Sequence, residues 1–164
     1  MKGRAILICG KIASGKSFYA ERLRLKHNAA VLSCDEIMLA LFGGDAGEMH
    51  DEYSRRTREF LLKKSLELIE TGHTVILEWG FWQKKSRAEA RAFYESRCIP
   101  CEMHYINVSD ADWTLNINSR NRAVAEGKAS AYFVDEGLAA KAAALFEEPA
   151  TDEIDILFYN AREN

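Results

Sequence analysis

Gly10-Lys11-Ile12-Ala13-Ser14-Gly15-Lys16-Ser17 follows the apolar run Ala5-Ile6-Leu7-Ile8-Cys9 and precedes an amphipathic stretch. A strand, a glycine-rich turn and a helix in that order form the setting of a phosphate-binding P-loop. Gly10 and Gly15 let the backbone bend so that successive N–H groups point into one concavity, walled by Lys11, Ile12, Ala13 and Ser14. The helix N-terminus behind it adds partial positive charge. Lys16 is placed to reach β- and γ-phosphates, and the Ser17 hydroxyl to supply one of the oxygen ligands that Mg²⁺ takes. The motif thus accounts for a nucleotide's phosphates and a magnesium ion together.

A chain of 164 residues fits a single domain over residues 1–164, with a core large enough for one sheet covered on both faces. It has no room for a separate substrate domain. A second substrate must bind on the same sheet, on helices inserted between its strands, or between two copies, so monomer and homodimer both stay open. The net charge of −3, with neither sign in a long block, argues against a nucleic-acid footprint. No apolar run is long enough to cross a bilayer. Met1-Lys2-Gly3-Arg4 runs straight into the first strand, which argues against a signal peptide and for a cytoplasmic protein.

Four cysteines are too few and too scattered for a disulfide framework. Cys9 and Cys34 read as small buried hydrophobes. Cys98 and Cys101, with His104 nearby, have the outline of a metal or redox site but lack a second ligand pair.

Strands are expected at residues 5–9, 30–33, 74–78, 101–108 and 154–159, each apolar enough for a buried sheet. Helical patterns separate them. The first runs over 16–27 with Phe18, Tyr19, Leu23 and Leu25 on its apolar side, and a short one follows Asp35 to Gly43-Gly44. A long one over 48–71 carries Tyr53, Phe60, Leu61, Leu68 and Ile69, and others span 83–97, 110–126 and 134–146. The alternation predicts an α/β fold, a doubly wound parallel five-stranded sheet with its ligand crevice at the strands' carboxyl ends. The loops at 43–47 and 126–130 are the mobile parts.

Chemistry-bearing residues should therefore follow strands. Asp35, just past the second strand, is placed to orient an acceptor hydroxyl and take its proton as it attacks the γ-phosphorus; the plainer reading is a helix cap. Glu36 is then a first-turn acid. Glu78 ends an apolar strand, the position of a carboxylate that holds Mg²⁺ or its water, though it also suits a substrate hydroxyl. Trp79, Phe81 and Trp82 crowd the same corner, and Trp79 and Trp82 have faces suited to a ring-shaped substrate as well as to the core. Arg120 and Arg122 precede the Gly127 loop. Two residues apart on a helix they cannot both face the site, and Arg120 is the choice for a lid arginine over 116–133. Arg55, Arg56 and Arg58 suit an acidic substrate, with Arg56 the candidate, but Asp51 and Glu52 stand four residues before the first two and offer ordinary helix pairs.

With Gly10 to Ser17, Cys34-Asp35-Glu36, Val75 to Trp82 and Ser119-Arg120-Asn121-Arg122 in this order, the chain resembles a family of small ATP-binding P-loop kinases. That AAA-type group includes relatives of zeta toxin, chloramphenicol phosphotransferase and polynucleotide kinase. The resemblance extends through Phe146-Glu147-Glu148-Pro149 and implies a P-loop NTPase, nucleoside-kinase-like fold with Mg-ATP as donor and a hydroxyl as acceptor. It also implies that Lys16, Ser17, Asp35 and Arg120 match the phosphate, metal, acceptor-side and lid positions. Two positions depart from the family pattern: Glu78 stands where many relatives have Asp, and Asn116 where similar lids carry an arginine on adenine, which shifts adenine binding to residues 133–136. The implied protein is an ATP-dependent kinase of a small polar alcohol. Alternatives are a polynucleotide or nucleotide-sugar kinase, or a regulatory module that binds and hydrolyses ATP.

Overall fold

The computed structural model describes residues 3–161; Met1 and Lys2, read above as the lead-in to the first strand, and residues 162–164 of the expected domain lie outside them. Five strands, β1 (Arg4–Cys9), β2 (Ala30–Ser33), β3 (Thr74–Gly80), β4 (Cys101–Asn107) and β5 (Ile156–Tyr159), form one all-parallel sheet in the order β2-β3-β1-β4-β5. Six helices connect them: α1 (Lys16–His27), α2 (Cys34–Phe42), α3 (His50–Glu70), α4 (Lys84–Glu95), α5 (Asp110–Ala125) and α6 (Glu136–Leu145). Short 3-10 turns at Gly47–Met49 and Thr151–Glu153 complete the chain.

Side chains alternate across a strand, so β1, flanked on both edges and covered on both faces, buries every residue from Ala5 to Cys9. Ala5, Leu7 and Cys9 join Val75, Leu77, Met103, Tyr105, Ile69 and Tyr94 on the side of α3 and α4. Ile6 and Ile8 join Ile76, Ile106, Tyr19, Ala20 and Leu23 on the side of α1. The same parity turns Glu78, next after Leu77, toward α1.

The expected elements form, with adjustments at their edges. On α1 the buried residues are Tyr19, Ala20 and Leu23, whereas Phe18 and Leu25 are 62% and 68% exposed. At 100° per residue those two share the opposite flank of the helix. Phe60 on α3 is likewise exposed, while Leu61 beside it is buried. Strand β3 continues two residues past Glu78, with a bulge: Ile8 pairs with Glu78 but Cys9 with Gly80. Helix α2 is capped by Ser33, whose hydroxyl accepts from the Glu36 N–H at 3.3 Å, and α5 by Ser109. Neither Asp35 nor Asp110 is the cap.

Among the described residues, no helix is long and apolar enough to cross a membrane.

Candidate functional site

The loop after β1 bends through left-handed conformations at Ala13 (φ 56°) and Gly15 (φ 99°). Successive N–H groups in such a curve form a concave anion site at the start of α1. Both glycines are sterically required. A Cβ on Gly10 would stand 2.7 Å from Ser14 Oγ and 2.8 Å from the Ile106 carbonyl, and one on Gly15 would strike the Asn160 amide. That amide donates to the Ser14 carbonyl at 2.8 Å, bracing the loop from the end of β5. The Trp113 indole N–H donates to the Ile12 carbonyl at 2.7 Å, bracing it from α5. Lys11 lies across the Trp113 ring, its ammonium 5.1 Å from the centroid and 3.7 Å from Asp110.

Charged groups converge above this loop. Lys16 donates to the Lys11 carbonyl at 2.6 Å, and the Ser17 hydroxyl to Glu78 Oε1 at 3.1 Å. Burial pushes the Glu78 carboxyl above the ordinary carboxylate range, against the pull of Lys16. It lowers the Lys16 ammonium against the charges of Glu78 and Asp35. Arg120 is lowered by burial in the same way, opposed by Asp35 and Glu78, and its Nε donates to the Tyr132 carbonyl at 3.0 Å. Burial raises the Tyr132 hydroxyl to about 12, helped by the charge of Asp35. Lys16, Asp35, Glu78 and Arg120 thus feel one another within one cleft, although they are far apart in sequence. Arg122 is exposed.

The cleft runs past Ser17, Asp35, Asn116, Arg120 and Tyr132 and encloses about 2030 Å³. A site for one small ligand is roughly 300–1,000 Å³, so this open cleft is larger than one such ligand needs. Trp79 and Trp82 line it while also packing into the core. Arg56 does not line it: its guanidinium is bound to Glu52 at 2.7 Å on the exposed side of α3. In the 133–136 segment, Phe133 is exposed and Val134 is buried, held by Asn121 through its N–H at 2.8 Å and its carbonyl at 2.7 Å. His104 is buried between Tyr19 and Glu102, with ring contacts of 3.0 Å to each, so it does not join Cys98 and Cys101.

Among the described residues, no three His, Cys, Asp or Glu side chains group to hold a metal alone. The donor set that does exist, one hydroxyl and one carboxylate beside a phosphate cradle, fits a Mg²⁺ that shares its coordination with substrate phosphates and water. Sequence reasoning missed Asn160, Trp113 and Tyr132, which bind backbone or pack rather than belong to a motif, and gave Asn121 no role of its own. Only Asn160 carried a signal, its position directly after a strand at the sheet's carboxyl edge.

A family model described as an AAA domain matches residues 6–149. No curated protein matches the sequence. Among solved structures, the chain is similar to the APS kinase of Mycobacterium tuberculosis in complex with AMPPNP and APS, with 18% identity and a TM-score of 0.64 over 99% of this chain and 91% of that one. A gluconokinase from Sinorhizobium meliloti is 14% identical, with a TM-score of 0.65 over 98% and 84%. Chaetomium thermophilum Kti12 in complex with ADP-AlF3 is 17% identical, with a TM-score of 0.67 over 96% and 88%. At these identities the likeness is one of fold.

Proposed function

The chain belongs to the AAA domain family, and we propose that it works there as an ATP-dependent kinase, moving the γ-phosphoryl group of ATP to a hydroxyl of a small polar molecule. The observation that carries this reading is the single cleft in which the phosphate loop, an exposed carboxylate and a half-buried arginine feel one another. The complexes of neighbours with AMPPNP and with ADP-AlF3 support ATP as donor.

In this mechanism the backbone of residues 10–17 and the Lys16 ammonium hold the triphosphate, with Lys16 giving up its bond to the Lys11 carbonyl. Ser17 and Glu78 would hold Mg²⁺, which when bound neutralises phosphate charge. Asp35, freed from capping by Ser33, aligns the acceptor hydroxyl and takes its proton. Arg120, rooted on α5 and tied to the segment carrying Tyr132, stabilises charge on the transferring group, with residues 116–133 closing as a lid. Transfer forms a phosphate ester and ADP, and the hydroxyl proton leaves through Asp35.

The test is ATP consumption by the purified protein with Mg²⁺, alone and against a pooled library of sugars, nucleosides and antibiotic-like alcohols. The expected result is acceptor-dependent turnover that Asp35→Ala lowers by about 10²–10⁴-fold while nucleotide binding persists. Slow hydrolysis indifferent to every acceptor and to Asp35→Ala would replace the kinase by a regulatory ATPase.

A further inference from the structure

Three arginines stand within four residues on α3, and the structure separates them. Arg55 is bound to Glu52 and Glu59, and Arg56 to Glu52, all toward solvent. Arg58 falls on the other side. The buried residues of α3 are Ser54, Leu61, Ser65 and Ile69, and Arg58 lies four residues after the first and three before the second, on the same stripe. Its half-buried side chain lines the cleft and makes no hydrogen bond or ion pair among the described residues.

Its neighbourhood is the start of α2, beside Asp35. The main charges felt at Lys16 and Glu78 are each other and Asp35, whereas Arg58 is felt at Cys34, the residue before Asp35. The Cys34 thiol donates to the Ser54 carbonyl, one turn before Arg58. Tyr132 responds to both Asp35 and Cys34 and packs edge-on against His50. A guanidinium that faces a cleft without an anionic partner of the protein's own is open to an anion from solution. Its planar fork fits carboxylate and phosphate oxygens bidentately. Exposed Glu36 and Asp51 also line the cleft, and they disfavour a highly charged polyanion.

We infer that the acceptor is a small molecule carrying one anionic group, a carboxylate or a phosphate monoester, which Arg58 binds while the acceptor's hydroxyl lies at Asp35. This rests on the kinase reading for the hydroxyl end and on Arg58 alone for the anionic end. The test uses the AMPPNP-loaded protein with Mg²⁺, titrated calorimetrically with hydroxy acids, sugar acids and sugar phosphates, each beside its neutral and amino counterpart. Some acid or phosphate ester should bind at least about 10-fold tighter than its neutral counterpart. Arg58→Ala should weaken that binding about 100-fold, Arg58→Lys should restore part of it, and Arg56→Ala should leave it intact. The carboxylate and phosphate arms distinguish the two sources of the anion.

Neutral or amino compounds binding as well as the acids, acid binding that survives Arg58→Ala, or no acid bound at all would overturn the inference. Mass analysis of the same panel with ATP keeps the two readings apart. Phosphorylation of a neutral or amino compound in preference to its acid would overturn the anionic acceptor and leave the kinase. Arg58-dependent acid binding with no phosphate transfer to any compound would uphold the anion site and remove the kinase.

Discussion

Ser17, in the first turn of α1, and Glu78, near the end of β3, share a hydrogen bond of 3.1 Å between hydroxyl and carboxylate. Burial makes that carboxylate reluctant to ionise, and a cation beside it needs it ionised. The folded-state value lies above the ordinary 4.5, so the ionised fraction, and activity with it, falls as pH drops through that raised value. The kcat/KM profile for ATP should therefore show an acid limb above pH 4.5. Glu78→Gln should abolish this limb and weaken Mg²⁺ affinity about 10–100-fold; a limb unchanged in the variant assigns it elsewhere.

Arg120→Ala should lower kcat by about 10³-fold or more if its guanidinium acts on the transferring phosphoryl group. KM for ATP should move far less, because in the proposed mechanism the loop holds the ground-state triphosphate. Steady-state kinetics measure both, and a loss confined to KM would make Arg120 a ground-state contact.

Gly15→Ala combines a φ of 99° with a Cβ directed at the Asn160 amide. It should destabilise the protein by about 1–3 kcal/mol and abolish tight nucleotide binding. Gly15→Ala with Asn160→Ala should recover part of the stability in a urea melt, because the clash goes while the backbone strain stays. No recovery would mean that Asn160 is not the obstacle.

Arg87 is buried in α4, where one Nη donates to the carbonyls of Phe81, Trp82 and Glu147 and Nε pairs with Glu153 at 3.0 Å. Removing one partner of such a pair costs about 3–5 kcal/mol, and Arg87→Ala should lose that much in chemical denaturation. The Glu153 carboxyl is held below its ordinary 4.5, chiefly by Arg87. That stabilisation is present above pH 4.5 and disappears as pH falls through the lowered value. The stability gap between wild type and Arg87→Ala should narrow on acidification over that range.

What could be read from the sequence was whatever local chemistry dictates. The phosphate loop needs its glycines, lysine and serine in order, and the strands are continuous apolar runs because both faces are covered. Periodicity alone could not choose a helix's buried arc, so Phe18, Leu25 and Phe60 entered the expected core although their flanks meet solvent. Arg58 went unselected because helix spacing revealed the partners of Arg55 and Arg56 but not the cleft beyond α3. The sequence let Asp35 be a helix cap as well as a site carboxylate, and only the bond from the Glu36 N–H to Ser33 assigns the cap to the residue two before it. Asn160 and Trp113 were out of reach for another reason: each acts on backbone distant in sequence, and such contacts exist only after folding.

Helix α5 holds the phosphate loop through Trp113 and, two turns later, carries Arg120 on the segment bonded to Tyr132. Displacing the root of that helix would pull on the Ile12 carbonyl as it withdraws the arginine. Under the proposed kinase mechanism, loosening of the phosphate loop and withdrawal of the arginine would be one mechanical event, joined through a single indole.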